Sequence, residues 1–315
     1  MIRPTDIPSA AVTPGNHDGV HLGHRALVDA AKARAEALGL RTVGMFFDPH
    51  PTRVLAPERA PTLLTTPKRR VELLQEAGCD EVVVKTFDEE FASTEPRVFV
   101  EEILVRACNA RCVVTGPDFQ FGRGRAGNID TLRALGAEYG FEVVVTPPVL
   151  YEGEPSSSTR IRRVLAEGDV VSAAGMLTRL HETEGVVVEG YKRGRELGFP
   201  TANLAPEPTL LPKDGVYVVA VKDLDADRSL FGVANLGTRP TLEAGRSVEI
   251  HLFDFSGDLY GHRLRVGYAA RLRDEIKFSG LDELRAQIAR DVAAARALVE
   301  SDEFQRDPRR LRRWL

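Results

Sequence analysis

Cysteine is scarce in this chain of 315 residues: Cys79, Cys108 and Cys112 form an odd set without a C-x-x-C pair. That usage argues against a disulfide framework and suits a reducing cytoplasm, with all three expected as buried, reduced thiols. An excess of charge is missing too, since 42 lysines and arginines stand against 46 aspartates and glutamates, leaving a net −4 with both signs interspersed. Without a basic field, general nucleic-acid binding is not expected. No apolar run approaches the roughly 20 residues of a membrane span, and residues 1–11 have neither a basic start nor an apolar signal core. The chain is therefore expected to be soluble and cytoplasmic, with neither nucleic acid nor membrane as a partner and self-association left open. Two further patterns are missing. Lack of H-E-x-x-H removes the metalloprotease zinc helix, and lack of G-x-x-x-x-G-K-[ST] removes the P-loop.

What is there begins with the stretch GNHDGVHLGH, from Gly15 to His24. A short apolar run precedes it, and an alanine- and leucine-rich segment follows, with Leu27, Ala31 and Leu38 on one helical face. The reading is strand, loop, helix: Pro14 and Gly15 end the strand, Asp18 caps the helix, and Gly39 suits the left-handed position beyond its end. His21 and His24 then share the first turn, where orphan amides and the helix dipole favour a phosphate. Gly15, Asn16, Asp18 and Gly23 belong to the same candidate nucleotide site. Zinc is the weaker reading, because two histidines at this spacing would need a third ligand.

Length favours two domains, since 315 residues exceed what one hydrophobic core usually serves. In the first half, apolar runs at residues 42–47, 81–85, 111–115 and 142–146 alternate with helical patterns at 67–77, 95–107 and 128–139. Such alternation predicts a doubly wound α/β sheet whose ligand crevice lies beyond the carboxyl ends of its strands. Beyond residue 168 the pattern changes. A helical linker over residues 169–182 leads to runs at 183–189, 215–222, 230–235, 248–254 and 264–270 with no helices between them. Consecutive strands of this kind pair antiparallel, which predicts a small closed barrel or strongly curled sheet followed by one amphipathic helix over 281–299. The expected domains are residues 1–168 and 183–315.

Several stretches fall where the sheet would present a ligand. FDPHP places the Asp48 carboxylate in a stiff, proline-bounded turn suited to a metal–phosphate complex. GPDFQFGRGRAG, residues 116–127, has the composition of a loop that holds an aromatic ring and a phosphate; phenylalanines in a polar glycine loop need something to pack against. SSSTRIR, residues 156–162, offers hydroxyls and arginines to a polyphosphate, with a plain capping segment as the competitor. In the second half, YKRGRELGFPTANL reads as another phosphate loop: Lys192 and Arg195 line phosphates, and Thr201 and Asn203 offer oxygens to Mg²⁺. Glu249, within SVEIHLFDF, is the candidate base. Alternation alone leaves open whether it faces solvent or a site.

Together with LPKDGVY, VEIHLFDFSGDLYG and LRDEIKFSGLDEL, these motifs resemble, in order and spacing, the prokaryotic bifunctional riboflavin kinase / FMN adenylyltransferase family over about residues 10–300. The resemblance implies an α/β plus β architecture. A Rossmann-like nucleotidylyltransferase domain precedes a six-stranded antiparallel β-barrel kinase domain with a C-terminal helix. It implies ATP as co-substrate of both domains with Mg²⁺, and riboflavin and FMN as the flavin partners. His21 and His24 would contact the triphosphate and Asp48 would assist Mg²⁺. Asp118, Phe119, Phe121 and Gly122 would help hold FMN, and Ser157, Ser158, Thr159 and Arg162 would clasp phosphates. In the kinase, Gly198 would belong to the nucleotide loop, Thr201 and Asn203 would bind Mg-ATP, and Glu249 would accept the proton of the attacking ribityl hydroxyl. Asp254 and Asp258 look structural by comparison. Pro14, His17 and Ser156 depart from the family pattern, all in the adenylyltransferase half. Two alternatives follow: a kinase with weak or lost adenylyl transfer, and a flavin- or nucleotide-binding protein without turnover.

Overall fold

The computed structural model describes residues 7–190, 194, 198–238 and 246–307, which form two compact units, Met1–Ser157 and Ser158–Leu315. In the first unit β1 (Ala10–Pro14), β2 (Arg41–Asp48), β3 (Glu81–Thr86), β4 (Ala110–Thr115) and β5 (Glu142–Val145) build one sheet. Its order is β3-β2-β1-β4-β5, and every neighbouring pair is parallel. The expected doubly wound sheet is therefore present, with its switch point between β1 and β4. β1 is buried at all five positions, as a central strand covered on both faces must be. Ala10 and Val12 pack with Phe99, Leu104 and Leu132 on one face, while Ala11 packs with Ala31 and Ala35 of the helix Leu22–Leu38 on the other.

Local chemistry sets the helix ends. Thr66 caps the helix Pro67–Ala77 by accepting from the Arg69 N–H, with proline in the first turn, and Asn128 caps Ile129–Tyr139 by accepting from the Thr131 N–H. Gly39 takes the left-handed cap position, φ +65°, beyond Leu38. The predicted helix over 95–107 is irregular: after Pro96–Val98 the segment Phe99–Ala107 is π-helical. Cys79, Cys108 and Cys112 are free and buried, and burial pushes their thiols up to about 12, 11 and 11. These thiols are unreactive core groups. A small hairpin, β6 (Leu150–Tyr151) with β7 (Glu154–Pro155), closes the unit.

The second unit is a closed antiparallel barrel of six strands: β8 (His181–Val188), β9 (Ala202–Pro206), β10 (Gly215–Asp223), β11 (Arg228–Thr238), β12 (Arg246–Leu252) and β13 (Arg263–Arg273). The order around it is β10-β11-β12-β9-β8-β13, with β10 pairing back to β13. Sequence periodicity alone missed β9, which is short and follows a glycine- and proline-rich loop. The helix Leu281–Glu300 covers the barrel wall through Ala295 and Val299, against Val216, Val218 and Phe253. The expected linker helix is present as Val170–Leu177, but it is buried at six of its eight positions and packs on β8 and β13. Its apolar residues surround the whole helix axis, so it serves as core. Among the described residues no helix is long and apolar enough to cross a membrane.

Two candidate nucleotide sites

The Gly15–His24 turn leaves the carboxyl end of β1 and enters the helix Leu22–Leu38 through three residues in left-handed backbone: His17 (φ +47°), Gly19 (φ +86°) and Val20 (φ +43°). The expected cap is corrected. His21, not Asp18, is the N-cap, its Nδ1 accepting from the Gly23 N–H at 3.1 Å, which places the His21 proton on Nε2. Asp18 instead turns inward and is only 2% exposed. It accepts from the backbone N–H groups of Leu64 and Thr65 and pairs with Arg70 at 3.1 Å. Arg70, 1% exposed, also donates to the Asn16 carbonyl at 3.0 Å. Asp18 thus stands behind the turn and fixes its shape, because its small carboxylate meets enough donors there to be buried as an ion.

In front of that support the imidazoles of His21 and His24 stack with ring centres 3.7 Å apart, and His17 meets His24 edge-on at 5.0 Å. Burial and the neighbouring His21, His17 and Arg70 hold His24 well below the ordinary histidine range, so it is neutral near pH 7. The ring of His17 is fully buried; burial above all, with Arg70 adding to it, lowers its pKa to about 4. Asn16 is exposed and its amide lies 3.3 Å from His50 Nε2. Asp48 ends β2, half-buried, and His50 caps the next short helix. Gly23 lies where an added Cβ would stand 3.0 Å from the His21 ring and 3.4 Å from the Ser156 carbonyl, so the Ser156–Ser157 segment reaches the same turn.

Beyond β4 the loop is closed by paired backbone bonds between Phe121 and Gly127, at 3.0 and 2.9 Å. Phe121 is a core residue, 6% exposed, packed on Phe99; Phe119 stacks on it at 5.5 Å and is only half-buried. Phe47, Phe87 and Phe91 continue this aromatic surface, with neighbouring ring centres 5.6 to 5.8 Å apart. Asp118 is exposed, and Gly122 (φ +72°) abuts Pro96. The buried hydroxyls of Thr13, Thr115, Thr146 and Ser156, with Nδ1 of His17 and of His24, have no hydrogen-bond partner. Thr13 and Thr115 end the two strands of the switch point. Orphaned polar atoms gathered at strand ends mark a place built for a polar ligand or water.

In the barrel, strand register does the assembling. Glu249 of β12 lies opposite Asn203 of β9 on one side and Asn235 of β11 on the other. Val248 and Ile250 are fully buried, so pleating turns Glu249 and its two asparagine neighbours to the outer face of the wall, where each is half-buried. Two described glycines ahead of β9 approach Asn203 and the neighbouring Thr201. A Cβ on Gly190 would stand 2.1 Å from the Asn203 amide, and one on Gly194 would stand 3.1 Å from Thr201 Oγ1, so glycine alone permits the approach. Gly198 holds a left-handed turn (φ +84°) ahead of the same strand. His251 donates from Nδ1 to the Pro200 carbonyl at 2.9 Å and meets Phe199 edge-on.

Comparison with known proteins also divides the chain in two. The FAD synthetase family profile matches residues 4–160, and the riboflavin kinase profile matches residues 177–299. A bifunctional riboflavin kinase/FMN adenylyltransferase of Escherichia coli K12 is 39% identical over 286 residues, covering 90% of this chain and 91% of that one. The like-named protein of Haemophilus influenzae is 36% identical over 296 residues, covering 94% and 96%. The chain belongs to the bifunctional riboflavin kinase/FMN adenylyltransferase family. A crystal structure described as a macrolide-efflux protein from Streptococcus pneumoniae has the same fold, with a TM-score of 0.82 and 32% identity over 94% of this chain and 97% of that one.

For a bifunctional riboflavin kinase/FMN adenylyltransferase, the sequence candidates distribute unevenly. Lys192 and Arg195 lie outside the described residues. Ser158, Thr159 and Arg162 are in the helix Ser158–Glu167, which groups with the second unit; Thr159 is exposed. Sequence reasoning missed Asn235, whose only signal was a polar side chain ending an apolar run, and the aromatic pair Phe87 and Phe91. It also missed a cavity of about 290 Å³ between the barrel and the helix Leu281–Glu300, lined by Phe231, Phe253, Asp254, Arg296 and Val299. Arg296 binds Asp254 through both guanidinium nitrogens, at 2.8 and 2.9 Å, and lies over the Phe253 ring at 4.6 Å. Asp258 accepts from the Tyr260 N–H and shapes a turn.

Proposed function

We propose that this chain carries out two successive ATP-dependent reactions, phosphorylation of riboflavin to FMN and adenylyl transfer to FMN giving FAD and pyrophosphate. The carrying observation is the row Asn203–Glu249–Asn235, approached by glycines ahead of β9, in one unit, alongside the stacked His21–His24 pair at a helix start in the other. In the kinase reaction Glu249 takes the proton of the terminal ribityl hydroxyl as that oxygen bonds to the γ-phosphorus, and ADP leaves. Thr201, Asn203 and Gly198 hold the nucleotide. The isoalloxazine ring is assigned to the cavity lined by Phe231, Phe253 and Val299 beside the Asp254–Arg296 pair, whose aromatic and charged groups suit a planar, polar-edged ring.

In the adenylyl transfer a phosphate oxygen of FMN bonds to the α-phosphorus of ATP, and the bond to the β-phosphate breaks. His21 donates from Nε2, and with His24 and the amides of the helix start it stabilises the charge that accumulates on the departing pyrophosphate. The aromatic surface of Phe119, Phe47, Phe87 and Phe91 supports the flavin ring. Asp48 in one unit and Thr201 with Asn203 in the other would offer oxygen donors to a magnesium ion bound with ATP, which would offset phosphate charge. The glycine-backed cradle at Thr201 and Asn203 fits such a group. The proposed division of labour is adenylyl transfer within residues 1–168 and the kinase within 183–315, in a cytoplasmic protein. Incubation with riboflavin and Mg-ATP, followed by separation of the flavins, should show FMN and then FAD, with ADP and pyrophosphate released. Absence of FMN from folded protein refutes the reading, and FMN without FAD favours a kinase with lost adenylyl transfer.

A further inference from the structure

The ring of His17 does two things that an apolar ring of similar size, such as phenylalanine, cannot. Its Nε2 lies 3.0 Å from the carbonyl oxygen of Thr13. A carbonyl only accepts, so the proton of this neutral, fully buried ring is on Nε2 and its Nδ1 is a bare acceptor. That Nδ1 has no partner, and neither has the buried Nδ1 of His24, whose ring meets His17 edge-on with centres 5.0 Å apart and planes at 74°. Two orphaned nitrogens in adjacent buried rings are costly unless some state of the protein uses them.

We propose that His17 is a positioning residue for adenylyl transfer, its Nδ1 accepting the Nδ1–H of His24 so that His24 Nε2 is directed at the nucleotide triphosphate. The pair closes by movement of the His24 ring while His17 keeps its bond to Thr13. The charged and titratable groups around His24 are His17, His21 and Arg70, all of which disfavour a positive ring in the free protein. A triphosphate on the Nε2 side reverses that balance. The ring then takes up one proton from solvent with the nucleotide and donates from both nitrogens, to His17 and to a phosphate oxygen. The one bond formed is this N–H, its proton supplied by solvent, and no bond of the nucleotide breaks. With phenylalanine at position 17 the Nδ1–H would have no acceptor on this side.

This proposal rests on adenylyl transfer occurring in the first unit. The test uses the full-length protein labelled with ¹⁵N-histidine, observed alone and with Mg²⁺ and a non-hydrolysable ATP analogue. The expected spectrum has His17 protonated at Nε2 only in both states, and in the complex a slowly exchanging His24 Nδ1 proton that disappears in His17→Phe. In parallel, His17→Phe should lower kcat for FAD formation from FMN by roughly 10- to 100-fold, the range typical of groups that orient a functional histidine, with KM for ATP nearly unchanged. A bare His24 Nδ1 in the complex of a wild-type protein that makes FAD overturns the proposal alone. An unchanged kcat in His17→Phe overturns it equally. A folded wild-type protein that makes no FAD refutes the adenylyl-transfer reading beneath it.

Discussion

In the first unit the paired histidines sit at a turn beyond the carboxyl end of a parallel strand, whereas in the second Asn203, Glu249 and Asn235 sit on neighbouring strands of a closed barrel. The consequences differ physically. The loop-built site depends on left-handed backbone at His17, Gly19 and Val20, a buried Asp18–Arg70 pair behind it, and a set of polar atoms without partners. The barrel-built site depends on register: Asn203, Glu249 and Asn235 are neighbours because three strands pair as they do. At the first site left-handed backbone and unpartnered polar atoms lie in the turn itself; at the second a continuous hydrogen-bonded wall fixes the geometry.

The largest expected effect tests whether the barrel row is catalytic. Glu249→Ala should lower riboflavin phosphorylation by roughly 10²- to 10⁴-fold, the contribution of a positioned base, while FMN supplied directly is still converted to FAD. Steady-state rates with each flavin separate the two. If the residue instead supported the fold, both activities would fall together.

The next effect concerns the support of the loop-built site. Arg70→Met leaves the buried Asp18 carboxylate without its cation, and breaking such a pair costs about 3 to 5 kcal/mol. The loss should appear in hydrogen exchange of residues 10–77 and not in the barrel strands. Uniform loss over both units would mean that the units are not independent in stability.

A smaller effect is expected from pH. His17 is lowered from 6.5 in the unfolded chain to about 4 in the folded protein, so between those values the unfolded state binds the extra proton. The associated stability is therefore complete above about pH 6.5 and is lost as pH falls toward 4, by up to about 3 kcal/mol. Denaturant unfolding of the first unit at pH 7 and pH 4.5, with His17→Phe for comparison, measures it. A pH dependence identical in the two proteins would exclude His17 as its source.

The same contrast explains what could be read in advance. The turn from Gly15 to His24 is contiguous, so its strand, loop and helix were legible as a string, as were Thr66, Pro67 and Gly39 at helix ends. Asp18 was misjudged as a cap because its partners, Leu64, Thr65 and Arg70, are some 46 to 52 residues away. Phe121 looked like a ligand contact and is mostly core, since a phenylalanine beside Gly127 fits under the loop it belongs to. In the barrel, Glu249 was legible only as an even choice between solvent and site. The structure adds what periodicity could not show: Val248 and Ile250 point inward, and β9 lies alongside, so Glu249 stands on the outer face between two asparagines.

The central claim is that two chemistries reside on two separately built units of one chain, and mixing two single variants tests it most directly. Glu249→Ala with Mg-ATP should make FAD from FMN but not from riboflavin, and His24→Ala should stop at FMN. An equimolar mixture of the two should convert riboflavin to FAD, because FMN released by one is adenylylated by the other. Failure of the mixture to make FAD, or loss of both activities in either variant alone, would contradict the account.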